Sequence, residues 1–145
     1  LNIGSVCRAM KNLGFRHLHL VAPRRFDRKR ASITACHGAD LLDSLVIHDT
    51  LEQALAPMQQ VVGLSTRAGK NRMAPLLLHE WAPAWYRSPR GPTALMFGPE
   101  DTGLTQEHIE HCTWTVRIPA AAEYTSFNLA QATLLTLFEL VRQEW

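Results

Sequence analysis

The amino-acid sequence predicts an α/β protein: a mostly parallel sheet with helices on both faces. Short β-branched or apolar runs alternate along the whole chain with stretches of helical periodicity, the pattern of parallel strands joined by crossover helices. The 145 residues, 46% hydrophobic and 19% charged, suffice for one domain with a real core and are too few for two. No internal repeat, low-complexity tract or linker divides the chain.

Taken in order, residues 17–22, 45–47, 60–65, 93–97 and 114–118 read as strands of about five residues. Residues 5–13 read as a helix, with Ser5 placed to cap its start and Gly14 just beyond its end. Residues 31–37 and 50–56 are shorter helix candidates, Thr105 is placed to cap a helix reaching about Cys112, and 128–145 is the longest helix. That last helix is apolar around most of its circumference, through Leu129, Leu134, Leu135, Leu137, Phe138, Leu140 and Val141. One apolar face suffices to dock a helix on a sheet, so the surplus is expected to be covered either by more of the same chain or, the favoured reading, by a second subunit. The chain opens directly on what reads as a strand-to-helix turn, Leu1-Asn2-Ile3-Gly4. Residues 1–145 are therefore expected to form one domain whose first strand lies upstream.

Charge and cysteine usage narrow the setting. A net charge of +2 is too small to demand a nucleic-acid partner, but its distribution is uneven. Arg24, Arg25, Arg28, Lys29 and Arg30 fall within eight residues, and Arg67, Lys70 and Arg72 form a second group. Such clusters neutralise phosphates, although a solvated loop has the same composition. No apolar run approaches the roughly 20 residues of a membrane helix, and no signal-peptide pattern opens the chain. Cys7, Cys36 and Cys112 are an odd, scattered set rather than a disulfide framework, so a reducing cytoplasm is the expected compartment.

Three segments offer chemistry. In the first, Asn2-Ile3-Gly4-Ser5-Val6-Cys7-Arg8, a glycine at a helix entry would open backbone amides to an anion, and Arg8 one turn later would hold a phosphate. An ordinary turn followed by an exposed arginine reads the same locally. In the second, an apolar strand runs from Ala94 into Phe97-Gly98-Pro99-Glu100-Asp101-Thr102-Gly103-Leu104 and then a helix. Ligands of open α/β sheets bind at such strand ends, though a simple Gly- and Pro-rich turn is equally compatible. It is neither a dinucleotide fingerprint nor a phosphate loop. In the third, Ile118-Pro119-Ala120-Ala121-Ala122-Glu123-Tyr124-Thr125-Ser126-Phe127-Asn128 leads into the long helix, where Ser126 and Asn128 either cap it or face a substrate.

In this order and spacing, the three segments resemble the three motifs of the TrmH family within the SPOUT methyltransferases. The likeness covers essentially the whole chain, and Tyr124–Ala132 together with Phe97-Gly98-Pro99-Glu100 look closest to the TrmJ-like branch, which methylates an anticodon-loop ribose in tRNA. The resemblance implies a parallel sheet with a C-terminal trefoil knot, bound S-adenosylmethionine and a homodimeric active site on RNA. Carried over by residue, it implies a cofactor pocket using Leu64, Ser65, Thr66, Gly98, Ile118, Thr125, Ser126 and Phe127. It implies a catalytic set of Asn2, Arg8, Glu100, Ser126 and Asn128. A ribosomal-RNA enzyme of the same family, or an RNA-binding module without catalysis, are the alternatives. A small-molecule Rossmann enzyme is disfavoured because no Gly-x-Gly-x-x-Gly opens a helix.

Two further signals are set aside. His108, His111 and Cys112 share one helical face but lack the additional ligands a zinc site needs, so no metal is expected. Trp81, Trp85 and Tyr86 lie in a proline-bearing stretch and read as packing of a lid or crossover rather than as base-stacking groups.

Overall fold

The computed structural model describes residues 2–24, 26–67, 73–88, 91–99, 102–123 and 125–145, with the backbone alone for Asn2. It comprises two compact units, Leu1–Ala56 and Pro57–Trp145.

The first unit is mainly helical. Helix α1 (Asn2–Asn12) begins earlier than the sequence predicts, so Ser5 lies inside it rather than capping it. Its other end is as expected. Gly14 takes φ +83°, its N–H bonds to Lys11 O at 3.3 Å and the Phe15 N–H reaches Met10 O at 2.9 Å, the paired bonds of a Schellman cap. Val6, Cys7, Ala9 and Met10 are buried.

Helix α2 (Arg28–Ala35) also starts early, because Asp27 caps it by accepting from Lys29 N at 2.9 Å and Arg30 N at 3.4 Å. That carboxylate offsets three cations in a first turn that the helix dipole disfavours. A 3-10 turn (Cys36–Gly38) and helix α3 (Asp40–Ser44) follow, the latter burying Leu41 and Leu42. Strands β1 (His19–Val21) and β2 (Val46–His48) pair in parallel, Leu20 opposite Ile47. Helix α4 (Leu51–Leu55) closes the unit with a capping box between Thr50 and Gln53.

The second unit holds a four-stranded, wholly parallel sheet in the order β4-β6-β3-β5. Its members are β3 (Gln60–Leu64), β4 (Leu76–Leu77), β5 (Thr93–Met96) and β6 (Trp114–Arg117). Central β3 pairs with both neighbours, Val62 lying between Leu95 and Trp114. Val62 and Val116 are fully buried, as the interior of a parallel sheet requires.

Helix α5 (Leu78–Arg87) contains Pro83 and forms nonetheless. Leu78, Trp81 and Ala82 are buried along it, and Trp85 Nε1 donates to Thr93 Oγ1 at 3.3 Å. Burial of this face offsets the backbone bond the proline removes. Helix α6 (Gln106–Ile109) is a single turn capped by Thr105. Helix α7 (Leu129–Val141) buries Thr133, Thr136, Leu137 and Leu140, one stripe at helical spacing. The threonine hydroxyls donate to Leu129 O and Ala132 O, both at 2.8 Å, so neither is stranded in the core. Away from the stripe, Leu134, Leu135 and Phe138 remain 42, 40 and 45% exposed. Among the described residues, no helix is long and apolar enough to cross a membrane.

Candidate functional site

The second unit opens a cleft of about 300 Å³ where its central strands end, within the low range of small-molecule sites. Leu64, Ser65 and Thr66 enter it from the end of β3, Val116, Arg117 and Ile118 from the end of β6, and Phe97, Gly98 and Pro99 from the end of β5. Because all three strands are parallel, their carboxyl ends share one edge, and the loops leaving them must meet there. Thr125, Ser126 and Phe127, with Leu129 and Ala132 on the first turns of α7, complete the wall.

Local chemistry shapes each loop. The Ser65 N–H continues the ladder to Val116 O at 2.9 Å, and its hydroxyl accepts from Arg67 N at 3.0 Å, which turns the chain away from the strand. After β5 the backbone doubles back, with Gly103 N donating to Pro99 O at 2.7 Å. A side chain at Gly98 would collide with the backbone of Gly103 and Leu104, so the loop closes this tightly only around glycine. Asn128 caps α7, its Oδ1 accepting from Ala130 N at 2.9 Å and Gln131 N at 3.3 Å.

The eight residues expected in a cofactor pocket therefore all line one cleft. Ser126 belongs to it too, while Asn128 stands beside it as the helix cap. Glu100 and the side chain of Asn2 lie outside the described residues, as do Arg25, Lys70, Arg72 and Tyr124. Phe97, Pro99, Thr102, Gly103, Val116, Arg117, Leu129 and Ala132 also line the cleft and were not among the residues expected in the pocket. Position beside a strand-end motif is the one signal that would have found them.

Arg8 lies on α1 in the first unit, exposed, with Nη1 3.9 Å from the sulfur of Cys36. The expectation for Gly4 is corrected. It is buried inside α1, where a Cβ would collide with the Ala31 carbonyl oxygen and the Thr34 hydroxyl. Its lack of a side chain serves the approach of α1 to α2, not that of a ligand. Burial, with the charge of Asp40 adding to it, pushes the Cys7 thiol up to about 11, so it is no nucleophile at neutral pH. His108 is the reciprocal partner of Thr105 in the cap of α6, its Nδ1 3.1 Å from Thr105 N. Among the described residues, no group of three or more His, Cys, Asp or Glu side chains could hold a metal ion. Trp81 is buried, with its ring centroid 6.0 Å from that of Trp85.

A parallel α/β unit whose strand ends open on a cleft of hydroxyls, backbone groups and apolar walls belongs to the open-sheet class, in which ligands bind at such strand ends. The chain belongs to the SpoU rRNA Methylase family, whose model matches residues 1–138, and the likeness carried by the three motifs holds at that level. It is 38% identical, over 99% of its length, to the tRNA (cytidine/uridine/adenosine-2′-O-)-methyltransferase TrmJ of Pseudomonas aeruginosa (strain UCBPP-PA14). It spans little more than half the length of the curated relatives it matches, 56% and 54% for two of them. Among solved structures, a "probable methyltransferase" from Bordetella pertussis Tohama I superposes with a TM-score of 0.86 at 37% identity, covering 99% of this chain and 89% of that one. The SpoU methyltransferase AviRb from Streptomyces viridochromogenes, solved with AdoMet, shares the fold at a TM-score of 0.75 and 24% identity, over 99% of this chain and 55% of its own.

Proposed function

We propose that this chain is the methyltransferase domain of an S-adenosylmethionine-dependent RNA ribose 2′-O-methyltransferase acting on the anticodon loop of tRNA. The observation that carries the reading is the cleft, where eight residues from three separated segments gather at the ends of β3, β5 and β6. A single family match across residues 1–138 supports reading both compact units as one functional domain.

The lining suits the cofactor. Leu64, Val116, Ile118, Phe127 and Leu129 offer apolar walls for a flat heteroaromatic ring, and backbone groups at the strand ends with the hydroxyls of Ser65, Thr66, Thr125 and Ser126 suit an adenine edge and a ribose. When bound, S-adenosylmethionine supplies a methyl group activated by its sulfonium. The protein's own task is then mostly alignment. Arg8 holds the phosphate next to the target ribose and stabilises the charge developing on its 2′-oxygen. A guanidinium keeps its proton in proteins and is a poor base, so the proton leaves to a substrate phosphate or to water. Glu100 and Asn128 serve as orienting residues, and Asn2 and Ser126 complete the catalytic set.

The reading includes the C-terminal trefoil knot and a homodimer, for which Leu134, Leu135 and Phe138 on α7 offer an exposed apolar surface. It also places the protein in the reducing cytoplasm, where its three cysteines stay free thiols. Transfer of tritium from labelled cofactor to bulk tRNA, and not to ribosomal RNA, is the expected result. Transfer to ribosomal RNA alone, which the family's description favours as the second reading, would redirect the substrate. No transfer to either would leave an RNA-binding module.

A further inference from the structure

We infer that the 3-10 turn Cys36–Gly38 is the seat that positions Arg8, with Gly38 setting the place of its backbone and Cys36 touching its guanidinium. The inference rests on the role of Arg8 proposed above and adds two positioning residues to it.

Gly38 is buried, and its φ is not in the left-handed region, which holds only Gly14, Gly91 and Gly103 among the described glycines. Glycine is therefore not required here for its conformation. It is required for space. A Cβ at this position would sit 2.9 Å from Cys7 O and 3.0 Å from both the N and the Cα of Arg8. These are backbone atoms of α1, which cannot swing aside as the tip of a side chain would. The turn thus meets the helix at the peptide that joins Cys7 to Arg8, the residue that bears the guanidinium. One turn earlier on α1, Gly4 meets Ala31 and Thr34 of α2 with still less room. Residues 4 and 8 are adjacent along one face of a helix, so two side-chain-free contacts fix how far and at what height α1 lies on its neighbours.

Cys36 acts at the other end of the same residue. Its sulfur lies 3.9 Å from Arg8 Nη1 and donates to Ile33 O at 3.7 Å. It holds φ +52°, a backbone state that a non-glycine residue keeps only where its surroundings impose it. This conformation ends α2 and turns the chain toward Gly38. Two residues apart in sequence, Cys36 and Gly38 address the guanidinium and the backbone of a single arginine. All residues lining the cleft belong to Pro57–Trp145, whereas Arg8, Cys36 and Gly38 belong to Leu1–Ala56. Loss of the seat should therefore appear in turnover and not in cofactor binding.

The test uses the intact protein with tRNA as substrate and S-adenosylhomocysteine as the titrated ligand. Gly38→Ala and Cys36→Ala should each lower single-turnover methylation, by about 10- to 100-fold for Gly38→Ala, with the dissociation constant for S-adenosylhomocysteine within about twofold of the parent. Cys36→Ser, which keeps an acceptor at that position, should restore part of the loss. In an Arg8→Ala background the same substitutions should cost almost nothing further, because residues acting through one group are not additive. Equal losses in the parent and in the Arg8→Ala background would overturn the inference, since the turn would then act on the fold at large. Parental turnover by Arg8→Ala alone would instead remove the proposed role of Arg8, a separate failure. If Gly38→Ala does not fold, Cys36→Ala and Cys36→Ser decide the question in the same backgrounds.

Discussion

The two compact units solve opposite electrostatic problems. Leu1–Ala56 concentrates cations on its surface, with Arg8, Arg28, Lys29 and Arg30 on helices held by small-residue contacts and a single aspartate cap. Pro57–Trp145 builds a cleft whose described lining is apolar or hydroxylated, with Arg117 its one charged group. Charge that must meet a polyanion belongs on a surface, where water screens it cheaply. A site for a flat, weakly polar ring belongs at the end of a buried sheet, where backbone groups are already fixed. The difference teaches that turnover and cofactor affinity should fail separately when the two units are perturbed.

The largest expected effect tests that separation from the first unit. Arg8→Lys keeps the positive charge and loses the planar fork that grips two oxygens at once. Methylation in a single turnover should fall by about 100-fold, while calorimetric binding of S-adenosylhomocysteine stays as in the parent. Parental turnover by the lysine variant would remove the clamp and, with it, the division of labour. Next in size is the reverse experiment. Gly98→Ala forces a Cβ into the backbone of Gly103 and Leu104, and overpacking of this kind costs about 1–3 kcal/mol. Cofactor affinity should drop about tenfold or more, since 1.4 kcal/mol is a factor of ten. A Gly98→Ala protein that binds the cofactor normally but turns over slowly would merge the two units into one functional unit.

How much of this was legible in the sequence follows the range of the interaction that decides each feature. Asn128 and Gly14 act within a few residues of themselves, and their roles as cap and C′ residue could be read directly from the chain. The strand ends carrying Ser65, Gly98 and Ile118 were also visible, because β-branched runs stop at recognisable turns. Gly4 misled, because the chain alone does not distinguish a glycine that opens a helix to a ligand from one that lets a second helix approach. The deciding atoms belong to Ala31 and Thr34. Asp27 was missed as a cap because three cations follow it, a first turn that propensity and dipole both disfavour. The proline-bearing stretch Leu78–Pro92 reads as packing of a lid or crossover, and the sequence alone did not show that Leu78–Arg87 within it is a helix that forms despite Pro83. The helix is held by burial of Leu78, Trp81 and Ala82 against elements far along the chain.

A smaller effect isolates the missed cap. Asp27→Ala removes the acceptor for the Lys29 and Arg30 amides and should cost about 1 kcal/mol in urea-induced unfolding, with Asp27→Asn recovering most of it. If the cap also holds α2 against α1 firmly enough to matter for Arg8, turnover will fall beyond what the stability loss explains. If not, the first unit tolerates a frayed helix start without functional cost.

The smallest effect is a pH dependence confined to the same unit. His19 and His48 lie on neighbouring strands, with Nδ1 and Nε2 2.9 Å apart and rings nearly parallel at 5.2 Å. That bond needs one ring N–H and one bare nitrogen, so it is intact while both rings are neutral. Burial holds His19 below its usual 6.5, with repulsion from His48 and then His17 adding to the effect. Above pH 6.5 the folded and unfolded chains both carry a neutral His19 and nothing is lost. Below it the unfolded chain takes the proton first, so stability drains as pH falls until the folded ring protonates as well. The urea midpoint should therefore decline from about pH 7.5 to about pH 5.5, and His19→Gln should flatten part of that decline. Because the pair is largely in water, the shift should be modest. An unchanged decline in the variant would assign the pH dependence to groups outside this strand pair.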